Sequence, residues 1–121
     1  MTAPSRTDRL SSLIHEEVAE IIDNRLTNPE VGRVTVTRVK VSKDIKYADV
    51  YIASESDEKK LAACLSALER SRGFIQKLLA SRVIIKQIPI IRFHYDRGYD
   101  SALRVYKLLK EIGETDNRPE D

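Results

Sequence analysis

The chain has 121 residues, of which 41% are hydrophobic and 33% are charged, a length that suits one domain and is too short for two ordinary ones. No apolar run reaches the roughly 18 residues of a membrane-spanning helix, the first residues lack the apolar segment of a signal peptide, and the single cysteine, Cys64, excludes a disulfide framework. We therefore expect a cytoplasmic protein.

The charge is unevenly distributed along the chain. The last eleven residues hold five acids and one base, which leaves 20 bases and 14 acids, a net charge of +6, in the first 110 residues. A moderately basic domain with an acidic tail indicates a polyanionic partner. Ordinary solvated surface charge would give the same count, so charge alone does not decide between the two interpretations.

The first predicted element is an amphipathic helix. Thr7 and Asp8 form a plausible start, because a capping residue is followed by an acid in the first turn. Apolar residues then recur at spacings of three and four between Leu10 and Leu26. The pair Asn28-Pro29 ends the helix, since a residue that precedes proline avoids the helical region.

A β-hairpin is predicted next. Residues 33–41 are rich in β-branched side chains and alternate, but the alternation changes phase after Val36, which predicts a bulge at Thr37 or Arg38. A turn at residues 42–44 leads into a second strand over residues 45–53. One face of this second strand carries Ala48, Val50 and Ile52, and the other carries Tyr47, Asp49 and Tyr51.

The second half of the chain predicts a broken helix, a strand and a last helix. Residues 54–57 can cap a helix whose apolar stripe runs in phase to Leu79, with Gly73 in its middle. A third strand lies within residues 88–95, and the last helix carries Ala102, Val105, Leu109 and Ile112 on one side. We predict one α+β domain over residues 1–112, with three strands and with helices on one face of the sheet, followed by a flexible acidic tail at residues 113–121.

The residues that catalysis or metal binding needs are not grouped in the sequence. His15 and His94 lack the partners of a metal-binding motif, so we expect a surface position for the first and a satisfied or solvent-facing sheet position for the second. Cys64 lies near an apolar stripe and is predicted to be a buried, inert thiol. With four glycines and no glycine-rich phosphate loop, the chain is not predicted to be an enzyme or to hold a metal or cofactor.

The segment Ser71-Arg72-Gly73 interrupts the long helical pattern and allows two interpretations. Glycine inside a helix costs about 1 kcal/mol relative to alanine, and one interpretation is that another element packs closely against Gly73. The other is a deliberate break, where the backbone leaves helical geometry and the positive end of the following helix faces a phosphate. Arg70 and Arg72 at this point favour an anion.

Several segments in this order resemble one bacterial family. They are NPEVG at 28–32, VTVT at 34–37, VKVSKD at 39–44, ADVYI at 48–52, IPIIRF at 88–93 and Asp96. Together with the order of elements they resemble the type II KH fold, and within it the ribosome-binding factor A family, whose members replace the Gly-x-x-Gly loop of that fold by an Ala-x-Gly kink. The resemblance covers about residues 6–112. This chain departs from the family pattern at Ser71, which is also small, and the Ser71 hydroxyl could bond a nearby carbonyl and favour the bend.

The resemblance implies a function without catalysis. Members of the family bind the free small (30S) ribosomal subunit, assist late maturation of 16S rRNA including its 5′-end region, and matter most in the cold. They cooperate with ribosome-assembly GTPases. A monomer is expected.

The residues predicted to bind RNA fall into groups along the chain. The kink comes first, and the predicted set is Arg70, Ser71, Arg72, Gly73, Lys77, Arg82, Lys86, Lys40, Lys43, Lys46, Arg6 and Arg9. Tyr47 and Tyr51 could stack on unpaired bases if their strand face were open, but packing against another element is the favoured interpretation. Alternative functions are a KH-type protein that binds non-ribosomal RNA, and a protein-interaction adaptor whose charges are only solvated.

Overall fold

A computed structural model describes residues 3–54 and 58–116 of the chain. The predicted order of helices and strands is confirmed, and the elements are α1 (Arg6–Arg25), β1 (Thr35–Val41), β2 (Tyr47–Ala53), α2 (Glu58–Arg70), α3 (Arg72–Arg82), β3 (Ile90–Tyr95) and α4 (Arg97–Asp116). The fold is α+β, as predicted. The capping role expected of residues 55–57 lies outside the described residues.

Helix α1 begins earlier than the sequence pattern predicts. The capping residue is Ser5, whose side chain accepts a hydrogen bond from the N–H of Asp8, while the Asp8 carboxylate accepts one from the N–H of Ser5. This reciprocal pair is a capping box, so the predicted start at Thr7 is wrong. At the other end, Leu26 is already extended, three residues before Pro29.

The three strands form one mixed sheet in the order β1-β2-β3. Strands β1 and β2 are antiparallel, and β2 and β3 are parallel. The register of β1 on β2 shifts between Val36 and Arg38, which confirms the predicted bulge and places it at Thr37. The Thr37 hydroxyl lies 2.5 Å from Asp96 Oδ2 and donates a hydrogen bond to that carboxylate, so the bulge is tied to the residue that precedes α4.

Helices α1, α2 and α3 cover one face of the sheet, here called the inner face. Helix α1 packs on β1 and α3, and α2 packs on β3. The core between the layers contains Ile14, Ile21, Val50, Ile52, Leu68, Ile75, Leu79 and Ile91, all fully buried. The predicted division of β2 is confirmed, because Ala48, Val50 and Ile52 face this core while Tyr47, Asp49 and Tyr51 face the opposite side.

Helix α4 does not join this layer. Its contacts with the described parts of the other elements are few and are made mainly with β2. Val105, Leu108, Leu109 and Ile112 are all exposed, so the apolar side predicted for the last helix is not covered by described residues. The helix continues to Asp116, into the segment predicted as a tail, and residues 117–121 lie outside the described residues.

Candidate nucleic-acid interface

The break in the long helix is confined to Ser71. Its backbone N–H is shared between the carbonyls of Ala67 and Leu68, at 3.0 and 3.1 Å, and its own carbonyl accepts from the N–H of Ile75 at 3.0 Å. With φ −88° and ψ −2°, Ser71 leaves regular helical geometry. The predicted kink is therefore present, although the Ser71 side chain makes no capping hydrogen bond.

Gly73 is the second residue of α3 and lies at the surface. A Cβ atom built on it would meet nothing within 4 Å, and its φ is not positive. Neither close packing inside the protein nor an unusual backbone angle therefore requires glycine at this position. What its missing side chain leaves is open backbone between the exposed Arg72 and Phe74, where a ligand can approach closely.

The two arginines of the kink are held by exposed ion pairs. Arg70 Nη2 lies 2.8 Å from Glu30 Oε2, and Arg72 Nη1 lies 3.7 Å from Glu69 Oε2. Exposed pairs of this kind contribute about 0–1 kcal/mol. A phosphate can therefore replace either carboxylate at small cost.

A second group of predicted residues meets at the start of α1. Arg6, Arg9 and Lys86 line a groove of about 590 Å³, which we call the basic groove. Its other lining residues are Leu10, Leu13, Asp44, Ile45, Ile85 and Gln87. Lys43 and Lys46 flank the turn that contributes Asp44 and Ile45, so five of the predicted cations lie in or beside one apolar-floored groove.

The turn at the edge of the basic groove is rigidly built. Ile45 has φ +60°, a strained angle for a β-branched residue, and its N–H donates to the Ser42 carbonyl at 2.9 Å. The Ser42 hydroxyl donates to Asp44 Oδ1 at 2.7 Å, and the Lys46 N–H donates to the same oxygen at 3.2 Å. The hydrogen bond from Ser42, followed by that from the Lys46 N–H, lowers the pKa of Asp44.

The remaining predicted cations have separate environments. Lys40 and Lys77 are exposed, on β1 and α3 respectively. Arg82, in contrast, pairs with Glu17 at 3.2 Å and also with Glu20, and its side chain is only 24% exposed. The hydrogen bond with Glu20 is the main cause that raises the pKa of Arg82. Arg82 thus joins α3 to α1, and its predicted RNA contact remains a prediction.

The face of the sheet opposite the inner face, here called the outer face, carries Tyr47 and Tyr51. Tyr47 is 37% exposed, contrary to the expectation that it packs against another element. Tyr51 is half-buried and its strand, β2, contacts α4, so for Tyr51 that expectation stays a prediction. Each ring is covered by a guanidinium group: that of Arg92 lies 4.1 Å from the Tyr47 ring centre, and that of Arg38 lies 4.0 Å from the Tyr51 ring centre.

The two histidines and the cysteine have structural partners. His15 Nε2 lies 2.9 Å from the Val36 carbonyl, and His94 Nε2 lies 2.7 Å from Asp49 Oδ1. Cys64 is buried and donates to the Val31 carbonyl at 3.2 Å, and burial raises the pKa of its thiol, in agreement with an inert cysteine. Among the described residues no cluster of three or more His, Cys, Asp or Glu side chains could hold a metal ion.

Sequence reasoning missed three surface residues that belong to these sites. Phe74 is 46% exposed beside the kink, and its position outside the apolar stripe that runs to Leu79 is the signal that could have found it. Arg38 and Arg92 could have been found from the alternation of side chains along β1 and β3, because each lies on the outward-facing phase of its strand. In the described parts of the chain, no helix combines the length and the hydropathy that a membrane span requires.

Comparison with known proteins identifies similar chains. The family model described as ribosome-binding factor A matches residues 6–109. The ribosome-binding factor A of Chromohalobacter salexigens is 37% identical over 108 residues, which are 88% of this chain and 82% of the relative. A solution NMR structure of a putative ribosome binding factor A from Thermotoga maritima is 30% identical, with a TM-score of 0.70, over 81% of this chain and 93% of the other.

One further structure concerns a complex. It is a homology model of the Thermus thermophilus ribosome binding factor A, fitted into a cryo-electron microscopy map of the complex of that protein with 30S, and it is 29% identical to this chain. Its TM-score is 0.62, over 74% of this chain and 93% of the other.

Proposed function

Because the chain belongs to the ribosome-binding factor A family, we propose that it binds the free small (30S) ribosomal subunit and assists late maturation of 16S rRNA, including its 5′-end region. We propose further that it does so without catalysis, that it acts as a monomer in the cytoplasm, that it works with ribosome-assembly GTPases, and that its contribution is largest in the cold.

The observation that carries this proposal is the similarity to the Thermus thermophilus protein fitted into a 30S complex. The similarity covers 74% of this chain and 93% of the Thermus thermophilus chain. Two sites suit such a partner. The kink offers open backbone at Gly73 between two weakly held arginines, and the basic groove offers cations that have no ion pair with described residues. Phosphate groups are the common partner of both arrangements.

The experiment that tests the proposal is co-sedimentation of the purified protein with small subunits, large subunits and assembled ribosomes, at low and moderate salt. We expect the protein to travel with free small subunits only. Replacing Arg70 and Arg72 together by glutamate should weaken this association while the thermal midpoint changes little, because exposed substitutions rarely exceed about 0.5 kcal/mol.

A matched control is the double replacement Lys107→Glu with Lys110→Glu. Both side chains are exposed on α4, outside the kink and the basic groove, and the net charge changes by the same amount. Unchanged binding of the folded Arg70 and Arg72 variant would remove the kink from the interface. Preference of the wild type for free single strands over small subunits would favour the alternative function, binding of non-ribosomal RNA.

A further inference from the structure

The outer face of the sheet is ordered in rows that run across the strands. Because partners in the register share a face, one row consists of Arg38, Tyr51 and His94, and the next consists of Lys40, Asp49 and Arg92. Tyr47 lies opposite Ile90 in a third row. Planar side chains and cations are thus the main constituents of this face.

The planar groups are already arranged in stacks. The ring centres of Tyr51 and His94 lie 5.0 Å apart, with 28° between the ring planes, and the Arg38 guanidinium covers Tyr51. The Arg92 guanidinium covers Tyr47 in the same manner. Nucleic-acid bases stack on aromatic rings and on guanidinium groups, which are the groups that this face presents.

Asp49 fixes the positions of these groups. Its oxygens accept from Arg92 Nε at 2.8 Å and from Arg92 Nη2 at 3.1 Å, and Oδ1 also contacts His94. Burial acts to raise the pKa of Asp49, but the hydrogen bonds from Arg92 and His94 outweigh it, so the pKa is lowered and the carboxylate stays charged. Arg92 and His94 are therefore held in place before any ligand arrives.

The sign of the charge on this face indicates an anionic partner. Three cations, on Arg38, Lys40 and Arg92, share it with Asp49, whose carboxylate is already engaged. Arg38 Nε also lies 3.7 Å from the buried carboxylate of Asp96. Lys40 is exposed and has no ion pair with described residues. Tyr47 remains 37% exposed beside these cations.

We propose that this outer face is a further RNA-binding surface, on which unpaired bases stack against the Tyr47–Arg92 and Tyr51–Arg38 pairs while Lys40 contacts the adjoining phosphate. A single-stranded RNA supplies both planar groups and negative charge, whereas an acidic peptide supplies mainly the charge. The inference rests on the proposed function only in naming RNA of the small subunit as the natural ligand.

The test measures fluorescence anisotropy of a labelled ten-nucleotide oligoadenylate with the full chain. The double variant Tyr47→Leu with Tyr51→Leu should weaken binding about tenfold or more, because stacking of each base contributes on that scale. The slope of affinity against salt should stay unchanged, since no phosphate contact is lost. Replacing both tyrosines by phenylalanine is the matched control and should retain the affinity of the wild type.

Lys40→Gln, unlike the leucine variant, should change the salt dependence of binding. The slope of log affinity against log salt concentration should become shallower by about 0.7, the value for one phosphate on a single strand. Equal affinity of the wild type and the folded leucine variant, or no oligoadenylate binding by the wild type, would overturn the proposal. So would a leucine variant that loses small-subunit binding but keeps oligoadenylate binding, because that result would assign the face to a protein partner.

The failure of this proposal and that of the proposed function are distinguishable. If the protein co-sediments with small subunits but its affinity for oligoadenylate is the same with and without the two tyrosines, the proposed function stands and the outer face is not an RNA-binding surface. If oligoadenylate binding depends on the tyrosines but the protein does not co-sediment with small subunits, the outer face binds RNA and the proposed function is wrong.

Discussion

Substitution of Gly73 should affect stability and small-subunit binding in opposite directions. Its backbone angles are open to any side chain, and a Cβ atom at this position would have no neighbour within 4 Å. Gly73→Ala should therefore increase the free energy of unfolding, by a few tenths to about 1 kcal/mol, because alanine restricts the unfolded chain. If the RNA backbone approaches Gly73 closely, the same substitution should weaken small-subunit binding, as measured by co-sedimentation.

Gly32 provides the control for this prediction. It has φ +61°, so Gly32→Ala introduces strain and should lower the unfolding free energy by about 1 kcal/mol, with no direct effect on the kink. A Gly73→Ala variant that is more stable and binds normally would show that the missing side chain is not needed for the interface.

Ser42 controls the ionisation of Asp44 in the turn beside the basic groove. Because the folded-state pKa of Asp44 is lowered from 3.8, its stabilising contribution is complete above that pH and is lost as the pH falls through the folded-state pKa. Ser42→Ala should raise the pKa of Asp44 toward its ordinary value, as carboxyl NMR titration can measure.

The same variant has a distinct signature in stability. The Ser42 oxygen also accepts hydrogen bonds from the N–H groups of Lys46 and Tyr47, and their loss does not depend on the ionisation of Asp44. The difference in unfolding free energy between wild type and variant should therefore shrink below pH 3.8 without vanishing. A difference that grows with acidity would contradict this explanation.

At the scale of elements, the bulge in β1 has a structural use. It turns the Thr37 hydroxyl toward the buried carboxylate of Asp96. Thr37→Val keeps the shape of the side chain but leaves that carboxylate with one donor fewer, so we expect a loss of about 1–3 kcal/mol in urea denaturation. Thr35→Val is the control, because Thr35 is exposed in the same strand; equal losses from both would show that the bond to Asp96 contributes nothing specific.

The part of α4 that follows residue 103 should be dispensable for folding of the rest of the chain. Every side chain between residues 104 and 112 is exposed, so this stretch of the helix buries little apolar surface against the sheet. A chain that ends at residue 103 should unfold at nearly the same urea concentration as the full chain, with a difference below about 1 kcal/mol. Loss of cooperative unfolding in the shortened chain would instead show that α4 stabilises the domain.

At the scale of the whole molecule, cations with and without an ion pair should contribute differently to the salt dependence of small-subunit binding. Lys86 has no ion pair with described residues, whereas Arg82 is held by Glu17 and Glu20. We expect Lys86→Gln to reduce the salt slope of small-subunit binding by about 0.7–0.9 for one phosphate. Arg82→Gln should leave the slope unchanged and cost stability instead; a reduced slope in both variants would mean that Arg82 exchanges its glutamates for RNA.

The periodicity of the sequence predicted most of the fold. Alternation along β2 assigned Val50 to the core and Tyr51 to the opposite face, and the phase change after Val36 predicted the bulge, because both patterns are local. The start of α1 was misplaced because Ser5 and Thr7 are both good capping residues, and only the reciprocal bond with Asp8 distinguishes them.

The candidate sites were predicted less completely, since they depend on contacts between distant segments. Nothing near Arg82 in the sequence indicates its pairing with Glu17, 65 residues away. Tyr47 was expected to pack against another element, yet it is 37% exposed, because the element that lies over a strand face is decided only in the folded chain. The grouping of Arg9 with Lys86 likewise requires the folded chain.

The parallel pairing of β2 with β3 has a consequence for how the chain is made. Residues 54–89, which contain the kink, separate these two strands, whereas β1 and β2 meet across a short turn. During synthesis α1 and the hairpin leave the ribosome first, and β2 then presents an unpaired edge until β3 follows. We expect this interval to be the time when the nascent chain is most open to aggregation, and folding to be completed when Ile91 and Phe93 reach the core.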